Sequence, residues 1–205
     1  MMYISSDSQI AYYHAPKNGS RTMLGYLALI KAPTLYDSHP EYFKERDDEV
    51  YWELRNRTHL ASSHHFTDCI VPSAEQDIRI VVKRDPVKRF ISGYRNRVLF
   101  HKRLNQMPSI DEFISNYAKY SSHSDIETHF REQVQFFGFD KTKFTHVFDV
   151  TEMHLVRQLF EDTYSRPFPS LRLQQGGNDV KISLTPQQEE WIHERYKRDY
   201  EAGWC

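Results

Sequence analysis

Apolar positions along the chain follow two periods in turn. Ile10 to His14 reads as a short strand, the turn Pro16 to Gly19 breaks it, and Met23, Leu24, Leu27 and Ala28 then recur at helical spacing until Pro33 stops them. The same order returns at Ile78. Ile78, Ile80, Val81 and Val82 form a near-continuous apolar run, as in a strand covered on both faces, and Asp85 followed by Pro86 supplies an N-cap and a first-turn proline. At about 100° per residue, Val87, Phe90, Ile91, Tyr94 and Val98 share one stripe of the helix that follows. Lys88, Ser92 and Asn96 fall on its opposite face, which keeps Ser92 out of the core.

Further along, Ser109 with Glu112 reads as a capping box for a helix bearing Ile110, Phe113, Ile114 and Tyr117, and another helix carries Phe130, Val134 and Phe137. Phe144 to Val150 reads as a strand, after which Thr151 caps a helix with Leu155, Val156, Leu159 and Phe160. Ser165 to Leu184 is loop-like, and Thr185, Pro186 and Gln188 open a last helix through Trp191, Ile192, Tyr196 and Tyr200. Thr34 to Thr58 carries no readable period. Alternating strands and helices predict a layered α/β fold around a parallel sheet. With no internal repeat or low-complexity stretch, the 205 residues are expected to form a single domain, 1–205.

Composition narrows the function. Hydrophobic residues make up 39% and charged ones 27%, which excludes collagenous and wholly disordered classes. The net charge of −1 argues against a protein that coats nucleic acid, so any basic site must be local. Such a site is visible: from Arg79 to Arg103 nine Lys/Arg stand against one acid, Asp85. Cys69 and Cys205 follow no disulfide or zinc spacing, and His59, His64, His65 and Cys69 match no metal-site geometry, so no metal is expected. A reducing, cytoplasmic setting fits the cysteines. There is no signal-like apolar segment and no apolar run near the roughly 20 residues of a membrane span.

In open parallel α/β sheets ligands sit beyond the carboxyl ends of strands, which directs attention to the two strand-to-helix turns. The first, Pro16, Lys17, Asn18, Gly19, Ser20, Arg21 and Thr22, offers backbone N–H groups, the positive end of a helix dipole, a lysine and two hydroxyls to an anion. A Walker A loop places its lysine directly after the second glycine, whereas Lys17 precedes the only glycine here. The loop is phosphate-loop-like without being that of an NTPase. At the second turn, Arg84 as a guanidinium fork and Ser92 as a hydroxyl donor can hold one phosphate together. Arg84, Lys88 and Arg89 crowd a helix N-terminus whose dipole they oppose, which calls for a compensating anion.

These two motifs, Pro16 to Thr22 and the string Arg84-Asp85-Pro86-x-x-Arg89-Phe90-x-Ser92-x-Tyr94, resemble the two cofactor motifs of sulfotransferases that use 3′-phosphoadenosine 5′-phosphosulfate (PAPS), and among them most resemble the carbohydrate sulfotransferases. His129, Phe130 and Gln133 are similar to the His-Trp-x-Pro-Gln segment of that group, with Glu132 in place of its proline. Phe148 to Glu152 is similar to its strand-to-helix turn and Tyr196 to Trp204 to its C-terminal helix. The resemblance implies a P-loop-like, three-layer α/β/α sulfotransferase fold with a central parallel sheet. It implies that Pro16 to Thr22 bind the 5′-phosphosulfate, with Lys17 bridging the leaving oxygen and the sulfuryl group, and that Arg84 and Ser92 hold the 3′-phosphate. Arg21 stands where the loop more often has Thr or Ser.

An acceptor hydroxyl needs a proton acceptor, and His64 and His65 are the best-placed candidates, with His65 preferred. The expected reaction moves a sulfuryl group from PAPS to a hydroxyl, on a carbohydrate or another hydroxyl-bearing acceptor, and leaves 3′-phosphoadenosine 5′-phosphate (PAP). Two rival readings are a nucleotide or sugar kinase, which would need ATP and magnesium, and a non-catalytic nucleotide- or glycan-binding module.

Overall fold

A computed structural model describes residues 2–4, 10–43, 61–63, 78–171 and 180–205. Five strands, β1 (Met2–Ile4), β2 (Ile10–Tyr13), β3 (Ala61–Ser63), β4 (Ile78–Lys83) and β5 (His146–Asp149), form one sheet. The helices in chain order are α1 (Ser20–Lys31), α2 (Leu35–Ser38), α3 (Pro86–Tyr94), α4 (Ile110–Ser115), α5 (Tyr117–Tyr120), α6 (Ser124–Phe130), α7 (Val134–Phe137), α8 (Met153–Tyr164), α9 (Pro186–Arg195) and α10 (Lys197–Glu201). The chain divides into two compact units, Met1–Lys83 with Phe136–Gln175, and Arg84–Gln135 with Gly176–Cys205. No helix among the described residues is long and apolar enough to cross a membrane.

The first unit holds the sheet, in the order β3-β1-β2-β4-β5. Its centre is parallel, with Ile10 opposite Ile78 and Tyr13 opposite Val81, then Ile80 opposite His146 and Lys83 opposite Asp149. The fold is α/β, as the alternation predicts. Two short antiparallel strands extend it, β1 pairing with β2 and β3 with β1. The sequence pattern does not show them, because three-residue strands are too short to display a period of two. Ile10, Tyr12, Ile80 and Val82 pack on Met23, Leu24 and Leu27 of α1 and on Val156 and Phe160 of α8. On the alternate positions Ala11, Tyr13 and Val81 are equally buried, and Tyr13 meets Phe144 edge-on with ring centroids 5.0 Å apart. Burial of both faces accounts for the near-continuous apolar run in β4.

The second unit is helical around an aromatic core of Phe90, Tyr94, Phe113, Phe130 and Tyr196. Asp85 caps α3 by accepting from Lys88 N at 2.8 Å with Pro86 in the first turn, and Thr185 with Gln188 forms a full capping box on α9, both as expected. Other expectations are corrected. Ser109 caps α4, but Glu112 makes no reciprocal box and its carboxylate accepts from the Tyr120 hydroxyl at 2.9 Å. The cap before α8 is Asp149, which takes Thr151 N at 2.8 Å and forms a capping box with Glu152 over a 3-10 turn, so Thr151 is the capped residue. Phe130 and Val134 lie on separate helices because Arg131 is extended, and the last helix breaks at Tyr196. Asn96, expected on the polar face of the second-motif helix, is buried where the backbone widens into a π-helical segment, Arg95–Phe100.

Candidate active site

The first loop leaves β2, all four of whose residues are buried. Two of its residues are left-handed, Lys17 at φ 72° and Gly19 at φ 71°. Glycine accepts that conformation freely. A lysine there costs about 1–2 kcal/mol, and such strain collects at functional turns. Gly19 is the N-cap of α1 and offers no side chain to it, and no acid occupies the first turn. First-turn N–H groups of an α-helix have no intrahelical acceptor, so this end of α1 suits an anion.

Position by position, Pro16 and Thr22 are buried, while Lys17, Gly19, Ser20 and Arg21 are half-exposed. Asn18 is fully buried, and its Nδ2 donates to the Val82 carbonyl at 2.8 Å, so this side chain ties the loop to β4. The loop also rests on the turn after β5: a Cβ on Gly19 would lie 3.4 Å from both Met153 Sδ and Val150 Cγ2. The ends of β2, β4 and β5 thus meet around this loop, at the carboxyl end of the parallel sheet.

In the second unit Arg84 precedes the Asp85 cap and Ser92 lies within α3, both half-buried. The backbone of Arg84 is held on both sides by one side chain. Its N–H donates to Gln133 Oε1 at 3.0 Å, and its carbonyl accepts from Gln133 Nε2 at 2.8 Å. Gln133 is fully buried, and its Nε2 also donates to the Trp204 carbonyl at 2.7 Å. The Asp199 carboxylate takes Gln133 N at 2.9 Å and Val134 N at 2.7 Å. Burial pushes the Asp199 carboxyl above the usual carboxylate range, against the pull of those two amides and of the Arg89 charge.

Arg89 corrects one expectation. It is turned inward, 1% exposed, and its Nη1 donates to the Arg131 carbonyl at 2.6 Å. Burial lowers its affinity for the proton, which Tyr196 and Asp199 partly restore. Of the three cations at the start of α3, which in the sequence call for an external anion, Arg89 is therefore met in part by Asp199, leaving Arg84 and the exposed Lys88 toward solvent. Glu132, which stands where the related motif has proline, is also buried, and it faces Arg198 Nη1 at 3.5 Å.

His129 receives a structural role. Its Nδ1 donates to the Asp125 carbonyl at 2.7 Å, and its Nε2 accepts from Arg97 Nη2 on the π-helical segment. Both ring nitrogens are thereby engaged by residues of its own unit. The two candidate bases, His64 and His65, lie outside the described residues.

The Sulfotransferase family model matches residues 1–202, and the chain belongs to that family. It is accordingly a transferase that acts on sulfuryl groups. Neither a curated protein nor a solved structure matches it.

Gln133 enters the sequence reading only through the family segment, and Asp199 only as an unnamed member of the stretch Tyr196 to Trp204. Asp199 has a legible signal all the same: Ile192, Tyr196, Asp199 and Tyr200 follow helical spacing, which puts an acid where the stripe requires an apolar residue.

Proposed function

We propose that the protein transfers the sulfuryl group of PAPS to an acceptor hydroxyl, on a carbohydrate by preference, within one catalytic domain spanning 1–205. The observation that carries this reading is the loop Pro16 to Thr22, which joins a left-handed Lys17 to an acid-free helix N-terminus in a chain of this family. In this reading Lys17, Ser20 and the α1 amides take the phosphosulfate, and Arg84 and Ser92 take the 3′-phosphate, each group chosen for the chemistry of its own donors. PAPS supplies an activated sulfuryl group on a phosphate leaving group.

Lys17 neutralises the charge that grows on the leaving 5′-phosphate oxygen, and the first-turn amides of α1 do the same for the sulfonate oxygens. His65, or His64 beside it, takes the proton of the acceptor hydroxyl as its oxygen bonds to sulfur and the bond from sulfur to the phosphate oxygen breaks. The cysteine pattern supports a reducing, cytoplasmic setting for this chemistry.

The reading is tested by incubating the protein with sulfur-labelled PAPS and a panel of polysaccharides, simple glycosides, phenols and alcohols. Label should pass to a carbohydrate and be lost in Lys17→Ala. Label passing only to phenols or alcohols would refute the carbohydrate preference. Transfer of phosphate from ATP with magnesium, and none of sulfate, would replace the whole reading with a kinase.

A further inference from the structure

The group of residues proposed to hold the 3′-phosphate contains Arg84, yet what the structure fixes around Arg84 is its backbone. One buried amide side chain closes a ring on it, Gln133 accepting the Arg84 N–H at 3.0 Å and donating to the Arg84 carbonyl at 2.8 Å. A glutamine is suited to this because it presents an acceptor and a donor in one plane, matching the N–H and carbonyl of one residue as a neighbouring strand would. The glutamine is itself fixed from behind. Its own N–H and that of Val134 converge on the two oxygens of Asp199, and its Nε2 also serves the Trp204 carbonyl. Asp199 and Gln133 are both 0% exposed, and the bonds that hold the glutamine from behind are buried, where losing one is costly, while its two bonds to Arg84 are part-buried.

We infer that Gln133 and Asp199 are positioning residues for the nucleotide subsite: they pre-set the Arg84 backbone, and through it the direction of the guanidinium, so that the C-terminal segment around Asp199 and Trp204 governs recognition of the 3′-phosphate without touching it. This rests on the proposed role of Arg84. It differs from a general contribution to folding because the effect is directed at one phosphate of the ligand.

The test titrates the full chain with PAP and with 5′-AMP, which lacks only the 3′-phosphate. Wild type should prefer PAP, and Arg84→Ala should lose that preference; if wild type shows none, the role of Arg84 fails and this inference with it. Given the preference, Gln133→Leu and Asp199→Asn should cut PAP affinity about tenfold or more, the scale of one buried hydrogen bond, while 5′-AMP affinity stays within about twofold. Equal losses for both ligands, or unchanged PAP affinity in a folded variant, would overturn the inference while leaving the role of Arg84 intact. Should either variant fail to fold, hydrogen exchange on wild type decides: the Arg84 amide should be as protected without ligand as the amides of α3. An Arg84 amide that exchanges freely until PAP is added would show that nothing pre-sets it, and would overturn the inference.

Discussion

Gly93→Ala sets two effects of opposite sign against each other. In the interior of an exposed helix the change stabilises by about 1 kcal/mol, because glycine loses more backbone entropy than alanine. Gly93 is buried in α3, however, and an added Cβ would lie 3.1 Å from Cζ, 3.2 Å from Cε1 and 3.4 Å from Cε2 of Phe130. The ring has little room to retreat: Phe130 is 0% exposed, with Phe90 edge-on at 5.1 Å and Phe113 at 5.1 Å between centroids. Overpacking of this kind costs about 1–3 kcal/mol. The two terms leave a net loss of about 1 kcal/mol, which for a chain of this size lowers Tm by about 2–4 °C. Equilibrium urea unfolding of the wild type, Gly93→Ala, Phe130→Leu and the double variant measures both parts. The alanine should destabilise the wild-type background and be neutral or stabilising when combined with Phe130→Leu. A gain of about 1 kcal/mol in the wild-type background, the value for an unobstructed helix site, would refute the packing argument.

Three other outcomes follow from the same geometry. Lys17→Ala should abolish sulfuryl transfer with a modest loss of nucleotide affinity, whereas Arg84→Ala should weaken binding first; steady-state kinetics beside direct titration separates the two, and equal losses of both kinds in both variants would contradict the division of roles. Gly19→Ala forces a side chain into φ 71°, so stability should fall by about 1–2 kcal/mol in a urea titration, with a larger proportional loss of transfer as the loop shifts against Met153. Burial holds the His146 imidazole below its usual range, so the unfolded chain takes up a proton that the folded one resists. Stability should therefore decline as pH falls below about 6.5 and stop declining once the folded imidazole also titrates. His146→Gln should flatten that slope in urea midpoints taken between neutral and mildly acidic pH.

The parallel centre of the sheet is legible because β2 and β4 are buried on both faces and read as apolar runs, and because Asp85-Pro86 and Thr185 with Gln188 are local signals that need no tertiary context. The short antiparallel strands β1 and β3 are not, since three residues carry no period and the pairing of Met2 with Ser63 is long-range. The same distinction runs through the site. Lys17 and Arg84 stand out as charged residues at strand ends. The inward turn of Arg89 is hidden because its compensating acid, Asp199, lies more than a hundred residues away in sequence. Gln133 looks like one residue of a weak motif, and only the placement of the Arg84 backbone against it reveals what its two polar atoms do.

Calorimetric titration with PAP, run beside ATP with magnesium and 5′-AMP, tests the central claim most directly, because it isolates the 3′-phosphate without needing an acceptor. The account predicts that the protein binds PAP in preference to both and that the preference disappears in Arg84→Ala and Ser92→Ala. ATP or 5′-AMP binding as tightly as PAP would contradict it.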